Sequence, residues 1–288
     1  MDLSIIIVSF NTKQLVDDCL SSIYRTMYTS RLKMEIIVVD NISTDGTREM
    51  LVKKYPHVVT IFNAENVGFG RANNQGMKRA KGTYIMLLNS DTVVLPDAID
   101  NIYSFALTHP KSFVGPKLLN PDRTPQTSCG PFFSLPVVFA ALFMRGDRNG
   151  LTRWSPDETR QVDWISGACI VAAKTSFFDD LLFDEGIFMY MEEIDLLMRA
   201  RRHGYTTYFY PVSKIIHLGA ASSTNKRTGP VLNIYRGFLY LYKKHFSRAA
   251  LDVLRLLLRL KALISIAIGY VIGSDYLKTT YAEAIRMV

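Results

Sequence analysis

Three short apolar runs in the amino-terminal third of the chain each end in polar side chains that could hold a ligand. Residues 4–8 run into Ser9 and Asn11, residues 35–39 into Asp40 and Asn41, and residues 84–88 into Asn89, Ser90 and Asp91. A short apolar run bounded by polar residues reads as a buried strand. Its exit then lies at the carboxyl edge of a sheet, where open α/β sheets bind ligands. Each polar exit alone is an ordinary turn residue; three on one edge predict a crevice. A second group is Glu192-Glu193-Ile194-Asp195, which follows the apolar run Met189-Tyr190-Met191. Acids at a helix start are favoured by the dipole. Burial beside apolar residues would instead raise a carboxyl pKa and make a general base. Glu192 and Asp195 are three apart and share a helix face. Gly68 and Gly70, ahead of a helical pattern, would bring main-chain N–H groups near a phosphate. Trp164 reads either as a core residue or as a platform for a sugar ring. His217, alone in an apolar run, reads as a core histidine.

The elements that must position these residues follow from periodicity. Strands are expected at 4–8, 35–39, 58–62 and 84–88. Between them, Leu15, Cys19, Leu20 and Ile23 fall on one helix face behind Thr12 as N-cap. Further helices are expected at 47–55, through Asn74, Met77 and Ala80, and at 97–109. Gly82 is expected to end the third of these in a left-handed cap. Such alternation argues a parallel, doubly wound sheet with right-handed crossovers. Residues 111–160 hold Pro116, Pro121, Pro125, Pro131, Pro136 and Pro156. They read as an excursion over the sheet edge with one short helix on the apolar island 137–144. Strand character returns at 162–171, a helix starts at Glu193 and closes at His203-Gly204-Tyr205, and strands are expected at 206–210 and 215–219. Residues 222–227 read as a polar, basic loop, and 231–246 as a tyrosine-rich helix. In 248–271, Arg248, Asp252, Arg255 and Arg259 form one narrow polar stripe on a very apolar helix. Its longest uncharged run, 262–274, is shorter than the roughly 20 residues needed to span a bilayer. So wide an apolar face predicts a helix lying in a membrane interface with its cations at the head groups, in preference to one simply docked on the domain.

The chain as a whole sets outer limits. It has 288 residues, 48% hydrophobic and 21% charged, with no internal repeat. That composition excludes a disordered chain. A net charge of +8 favours a phosphate-bearing partner. Cys19, Cys129 and Cys169 are far apart and match no zinc spacing, so free thiols in a reducing compartment are expected. The first residues enter a strand directly, without a basic n-region or cleavage site, which predicts no secretory leader.

These runs, in this order and spacing, resemble the family-two glycosyltransferases, inverting enzymes of the GT-A fold, and most closely their bacterial rhamnosyltransferase-like members. The resemblance covers residues 3–220. It rests on Ser9-to-Asn11, Asp40-Asn41 with Ser43-Thr44-Asp45-Gly46, Asn66-to-Phe69 with Asn73-Asn74, Asn89-Ser90-Asp91, Ser166-Gly167-Ala168, and the run from Phe188 to Arg199 with His217. It implies a GT-A, Rossmann-like, mostly parallel sheet flanked by helices, with amphipathic helices at the carboxyl end. Residues 1–230 would be the glycosyltransferase domain, with a nucleotide-binding half (1–95) and an acceptor-binding half (96–230). Residues 231–288 would be a membrane-associated segment.

By position, the resemblance assigns donor binding to Ser9, Asn11, Asp40, Asn41, Gly68, Asn73, Asn89 and Asp91. Asn89 and Asp91 fall on the family's Asp-x-Asp pair, with the first acid replaced by an amide. Asp91 and His217 would hold a divalent cation, Mg or Mn, a hard ion suited to oxygen ligands and substrate phosphates. Trp164 and Gly167 would meet the acceptor. Glu192, Glu193 and Asp195 fall on the catalytic acidic run, with Glu193 as the base, ionised at neutral pH. The implied partners are a nucleotide sugar, with dTDP-rhamnose a candidate, a lipid-linked or polysaccharide acceptor of cell-surface glycan synthesis, and an anionic membrane surface. No nucleic acid is implied, and the expected location is cytoplasmic, peripheral at the inner face of the membrane. Two rivals are a nucleotidyltransferase and a non-catalytic sugar-nucleotide-binding protein. The first would want a glycine-rich basic loop where Asn11-Thr12-Lys13 stands. The second has only the Asn89 replacement in its favour.

Overall fold

The protein is described here by a computed structural model covering residues 1–177, 181–219 and 228–288; the expected basic loop at 222–227 lies outside the described residues. The amino-terminal half alternates as its periodicity demands: β1 (Leu3–Ser9), α1 (Lys13–Thr29), β2 (Met34–Asp40), α2 (Thr47–Lys54), β3 (Val59–Phe62), α3 (Phe69–Arg79), β4 (Tyr84–Asn89), then β5 (Thr92–Val94) and α4 (Ala98–Thr108). The second half holds β6 (Ser112–Leu119), β7 (Cys129–Gly130), α5 (Leu135–Phe143), β8 (Arg160–Gln161), β9 (Trp164–Ile165), β10 (Cys169–Ala173), α6 (Glu192–Arg202), β11 (Thr206–His217), α7 (Thr228–His245), α8 (Arg248–Val271) and α9 (Asp275–Ile285).

Among the described residues the main sheet runs β3-β2-β1-β4-β10-β6-β11-β5, with β8 beside β11. The pairings of β3, β2, β1 and β4 are parallel. β10 runs antiparallel to β4, and β5 antiparallel to β11. The parallel character expected of the sheet is unbroken only from β3 to β4; on the other side β6 and β11 form a separate parallel pair between antiparallel neighbours. Alternation along the strands feeds two cores. Leu3, Ile5 and Ile7 pack with Val16, Leu20 and Ile23 of α1 and Ile99 and Ile102 of α4. Ile6, Ile85 and Leu87 face the opposite layer, with Ala72 and Met77 of α3 and Leu196 of α6. Cover on both faces is why β1 and β4 read as continuous apolar runs. Each such buried aliphatic contributes about 1.5–3 kcal/mol.

Three local expectations need correction. Residues 112–119 are a fully buried strand rather than part of an excursion. Pro116 stands opposite Tyr210, the last position before the β6–β11 register shifts, and such irregularities are where strands accept proline. The strands expected at 206–210 and 215–219 are one strand, β11, bent by a register shift between Tyr210 and Lys214. Gly82 does not cap α3 with left-handed backbone: the cap is Ala80 in extended conformation. The glycine is required because a Cβ there would sit 2.5 Å from the Ser4 nitrogen.

α7, α8 and α9 share a core with the sheet. Phe238 packs edge-on against Phe133, Tyr242 donates to the Phe133 carbonyl, and Leu254, Leu258 and Ala284 are buried in the same cluster.

Candidate active site

The loops after β1 and β2 are stitched together at the carboxyl edge. Asn11 adopts left-handed backbone. Its side-chain oxygen accepts from the Thr44 N–H at 2.8 Å, and its own N–H donates to Ser43 Oγ at 2.9 Å. Lys13 N–H donates to Asp45 at 2.8 Å. The Ser9 and Thr12 hydroxyls are 3.1 Å apart, and Thr12 also reaches Ser90, so Thr12 ties the loop after β1 to the loop after β4 and makes no side-chain cap on α1. Asp40 is wholly buried. Its Oδ2 accepts from Arg48 Nε at 2.8 Å and from the Ser43 N–H at 3.0 Å, while Oδ1 has no partner. A buried acceptor left unmatched in the free protein is a place for a ligand donor. Arg48 was not apparent from the sequence; its only signal is a cation one turn into the helix after Asp40.

Three residues assigned to the donor take a different part. Asn41 is buried, donating to the Gly68 carbonyl at 3.4 Å and accepting from Asn63 at 2.8 Å. Asn73 turns back to the Phe69 carbonyl at 3.0 Å. Gly68, at φ +86°, lies under Phe188, and the Phe69 N–H donates to the Phe188 carbonyl at 3.2 Å. The amino end of α3 is thus capped by the chain's own carbonyl, so it does not cradle a phosphate. Asn74 completes this clamp through two hydrogen bonds to the Phe183 main chain.

Asp91 and His217 come together because β11 pairs antiparallel with β5, setting His217 opposite Thr92. His217 Nε2 is 3.3 Å from Asp91 Oδ1. His217 Nδ1 is 2.7 Å from Gln126 Oε1. Asn89 Oδ1 is buried without a partner, and its N–H is held by the Ala168 carbonyl. A carboxylate, an imidazole and an orphaned amide oxygen are donors a divalent cation of the Mg or Mn kind accepts. No group of three or more His, Cys, Asp or Glu side chains stands ready for a metal among the described residues. Any cation here would complete its shell with phosphate oxygens and water.

The acids of α6 separate into two regimes. The chain enters the helix through Tyr190 and Met191, both left-handed at φ +69° and +73°, a strained approach costing about 1–3 kcal/mol per residue. Glu192 is buried and its Oε2 has no partner; burial, reinforced by the Glu193 charge, pushes its pKa up to about 8. Burial also raises Glu193, opposed by the N–H groups of Glu193, Gly167 and Ile194 and by the Arg153 charge. Of the two, Glu193 is the one whose charged form is supported by neighbouring N–H groups and a cation. Gly167 faces it: a Cβ there would lie 3.7 Å from that of Glu193. Asp195 is different. Burial would raise it, but His245 at 2.6 Å, Lys244 at 2.8 Å and Arg199 at 2.8 Å bring it down to about 2. Asp195 therefore pins α6 to α7 and is closed to an acceptor, and Glu192, equally buried, offers no open face to acceptor hydroxyls either. Trp164 is also closed: it stacks on Phe133, donates to the Pro131 carbonyl at 2.9 Å and is 2% exposed. The half-buried Arg153 lies over its ring at 5.2 Å.

Residues 4–126 match the model of glycosyl transferase family 2. That stretch is a glycosyl transferase family 2 domain. The chain is 29% identical over 210 residues to an N-acetylglucosaminyl-diphospho-decaprenol L-rhamnosyltransferase of Mycobacterium tuberculosis, spanning 66% of this chain and 68% of the relative. It is 26% identical over 224 residues to a low-salt glycan biosynthesis hexosyltransferase of Haloferax volcanii, spanning 75% and 67%. In fold it is similar to S. aureus TarS 1–349 in complex with UDP-GlcNAc, with a TM-score of 0.59 at 15% identity over 99% of this chain and 79% of that one. GalNAc-T7 with UDP, GalNAc and Mn2+ matches at a TM-score of 0.53 and 16% identity over 75% of this chain and 44% of that one. The chain thus has the GT-A fold with a block of helices at its carboxyl end.

Proposed function

We propose that the protein transfers a single sugar, with inversion, from a nucleotide sugar to a lipid-linked glycan, and that rhamnose is the sugar. The observation that carries the reading is a half-buried carboxyl, Glu193, set against Gly167, whose neighbour Ala168 holds the Asn89 N–H at the strand edge that carries Asp91. Asp40 Oδ1 is the acceptor for a base N–H of the nucleotide. Asp91 and His217 hold the cation, which would neutralise the departing diphosphate. Glu193 takes the proton of the acceptor hydroxyl as that oxygen attacks the anomeric carbon. The nucleoside diphosphate leaves from the opposite face, so the configuration inverts. The Gly167 turn leaves room beside Glu193 for the acceptor. The rhamnosyl assignment and the lipid-diphosphate acceptor rest on similarity to the mycobacterial enzyme.

The carboxyl-terminal helices suit attachment to an anionic membrane surface. α8 docks through Leu254, Leu258, Ala262, Ser265 and Gly269. Its other side leaves Val253, Leu256, Leu260, Leu263, Ile264, Ile268 and Val271 exposed. α5 packs against α8 and leaves Phe139 and Met144 exposed as well. The docked and the membrane-facing readings therefore describe two sides of one helix. No helix among the described residues is long and apolar enough to cross a membrane.

A thermal-shift panel of nucleotide sugars, with and without Mn or Mg, tests the donor, because a ligand bound to the native state alone raises its stability. The expected result is a cation-dependent shift with dTDP-rhamnose. A shift with no donor, or donor binding without turnover on any lipid-diphosphate acceptor, would reject the reading. Leu256→Gln combined with Leu260→Gln should cut partition into anionic vesicles while the donor-induced shift persists. Unchanged partition would reject the membrane face.

A further inference from the structure

We infer that Gln126 is a positioning residue for the cation site, fixing which nitrogen of His217 is free to bind; this rests on the reading of Asp91 and His217 as that site. Gln126 makes three side-chain hydrogen bonds. Its Nε2 donates to the His217 carbonyl at 3.2 Å and to Asn120 Oδ1 at 3.1 Å, and its Oε1 meets His217 Nδ1 at 2.7 Å. Turning the amide over would set Oε1 against two other oxygens, so its orientation is determined. Oε1 can only accept, so Nδ1 must carry the hydrogen. In the neutral imidazole the Nε2 lone pair then faces Asp91 Oδ1 across 3.3 Å. Two acceptors facing each other at that distance repel unless a proton or a metal cation lies between them, and both species keep the hydrogen on Nδ1. Metal-binding histidines are commonly oriented in this way, by an oxygen accepting from the second ring nitrogen.

The loop before Gln126 is built to present it. The Asn120 N–H donates to the Thr124 carbonyl, and the Arg123 N–H to that of Asn120, both at 2.8 Å. Asp122 caps Thr124 at 3.0 Å, and Arg123 sits in left-handed backbone. The Gln126 N–H closes the loop on the Leu118 carbonyl at 2.9 Å. Among the described residues, the loop is tied to His217 through Gln126.

The test combines imidazole 15N NMR with Mn2+ binding followed by electron paramagnetic resonance, alone and with UDP or dTDP. In the wild type, His217 should be protonated on Nδ1 with a bare Nε2. Gln126→Leu should lose that preference and bind Mn2+ about 10- to 100-fold more weakly. Gln126→Glu keeps an acceptor against Nδ1 and should stay close to the wild type, which a merely structural role for the amide would not allow. A wild-type His217 protonated on Nε2 alone overturns the inference, and that measurement needs no variant to fold. Wild-type Mn2+ affinity in Gln126→Leu, where Asp91→Asn has lost it, removes the role of Gln126 and leaves the cation site standing. Should Asp91→Asn also bind Mn2+ normally, the cation reading itself fails.

Discussion

The two sides of the candidate site are built differently. On the strand-edge side most polar groups are paired with one another, Asn11 with Thr44, Lys13 with Asp45, Asp40 Oδ2 with Arg48 and Ser43, which leaves only single oxygens, Asp40 Oδ1 and Asn89 Oδ1, unpartnered. On the other side, the α6 start holds Glu192 and Glu193 in apolar surroundings, with Glu192 Oε2 unpartnered. Satisfied groups make a rigid template that recognises a ligand without reorganising. Groups denied partners have shifted pKa values and are available to move protons. One helix also shows the contrast within itself, since Asp195, two residues on from Glu193, is saturated by His245, Lys244 and Arg199.

That contrast can be broken at its reactive end first. Glu193→Gln should lower transfer by about 100- to 10,000-fold, while the donor-induced thermal shift stays intact. Glu193→Asp should keep substantial activity. Normal turnover in Glu193→Gln would take the base away from this side.

Asp195→Asn should remove the buried charge that Arg199, Lys244 and His245 share and cost about 3–5 kcal/mol of stability in urea unfolding. The sign of its pH dependence follows from its lowered pKa. The contribution of Asp195 is present above the ordinary value of 3.8 and is lost as pH falls through about 2. A variant as stable as the wild type would mean that α7 is not pinned there.

Asp91→Asn sharpens the donor side. It should abolish the cation dependence of donor affinity, measured by titration with and without Mn, and leave the fold unchanged. His217→Ala should weaken that dependence less, since imidazole is a secondary ligand for hard cations.

Glu192→Gln is the mildest test. The raised pKa of Glu192 means that its favourable contribution is complete below 4.5 and disappears as pH rises through about 8. Glutamine imitates the protonated acid, so the variant should melt like the wild type at pH 5 and above it at pH 9. Parallel melting curves across that range would mean that Glu192 is not protonated at neutral pH.

The uneven success of reading this chain follows the same division. Residues 4–8, 35–39 and 84–88 declare themselves as strands because both sheet faces are buried, so apolarity is continuous and the polar exits stand out. The acidic run at Glu192 and its resemblance to the family motif were equally visible. Local sequence therefore determined the nucleotide half, the order of its loops and the identity of the carboxylates that face it. The tertiary structure alone decided which of them can react. Glu192, Glu193 and Asp195 are chemically alike, and only α7, arriving fifty residues later with Lys244 and His245, turns Asp195 into a clasp. Trp164 became core and not platform when Phe133 and the Pro131 carbonyl closed over it. Pro116 obscured β6 because a proline penalty is local, whereas the register shift beside it depends on how β11 pairs. Gln126 stands 91 residues from His217, and no periodicity or motif links them; their hydrogen bond exists because β11 runs parallel to β6 and brings its end beside the loop that follows.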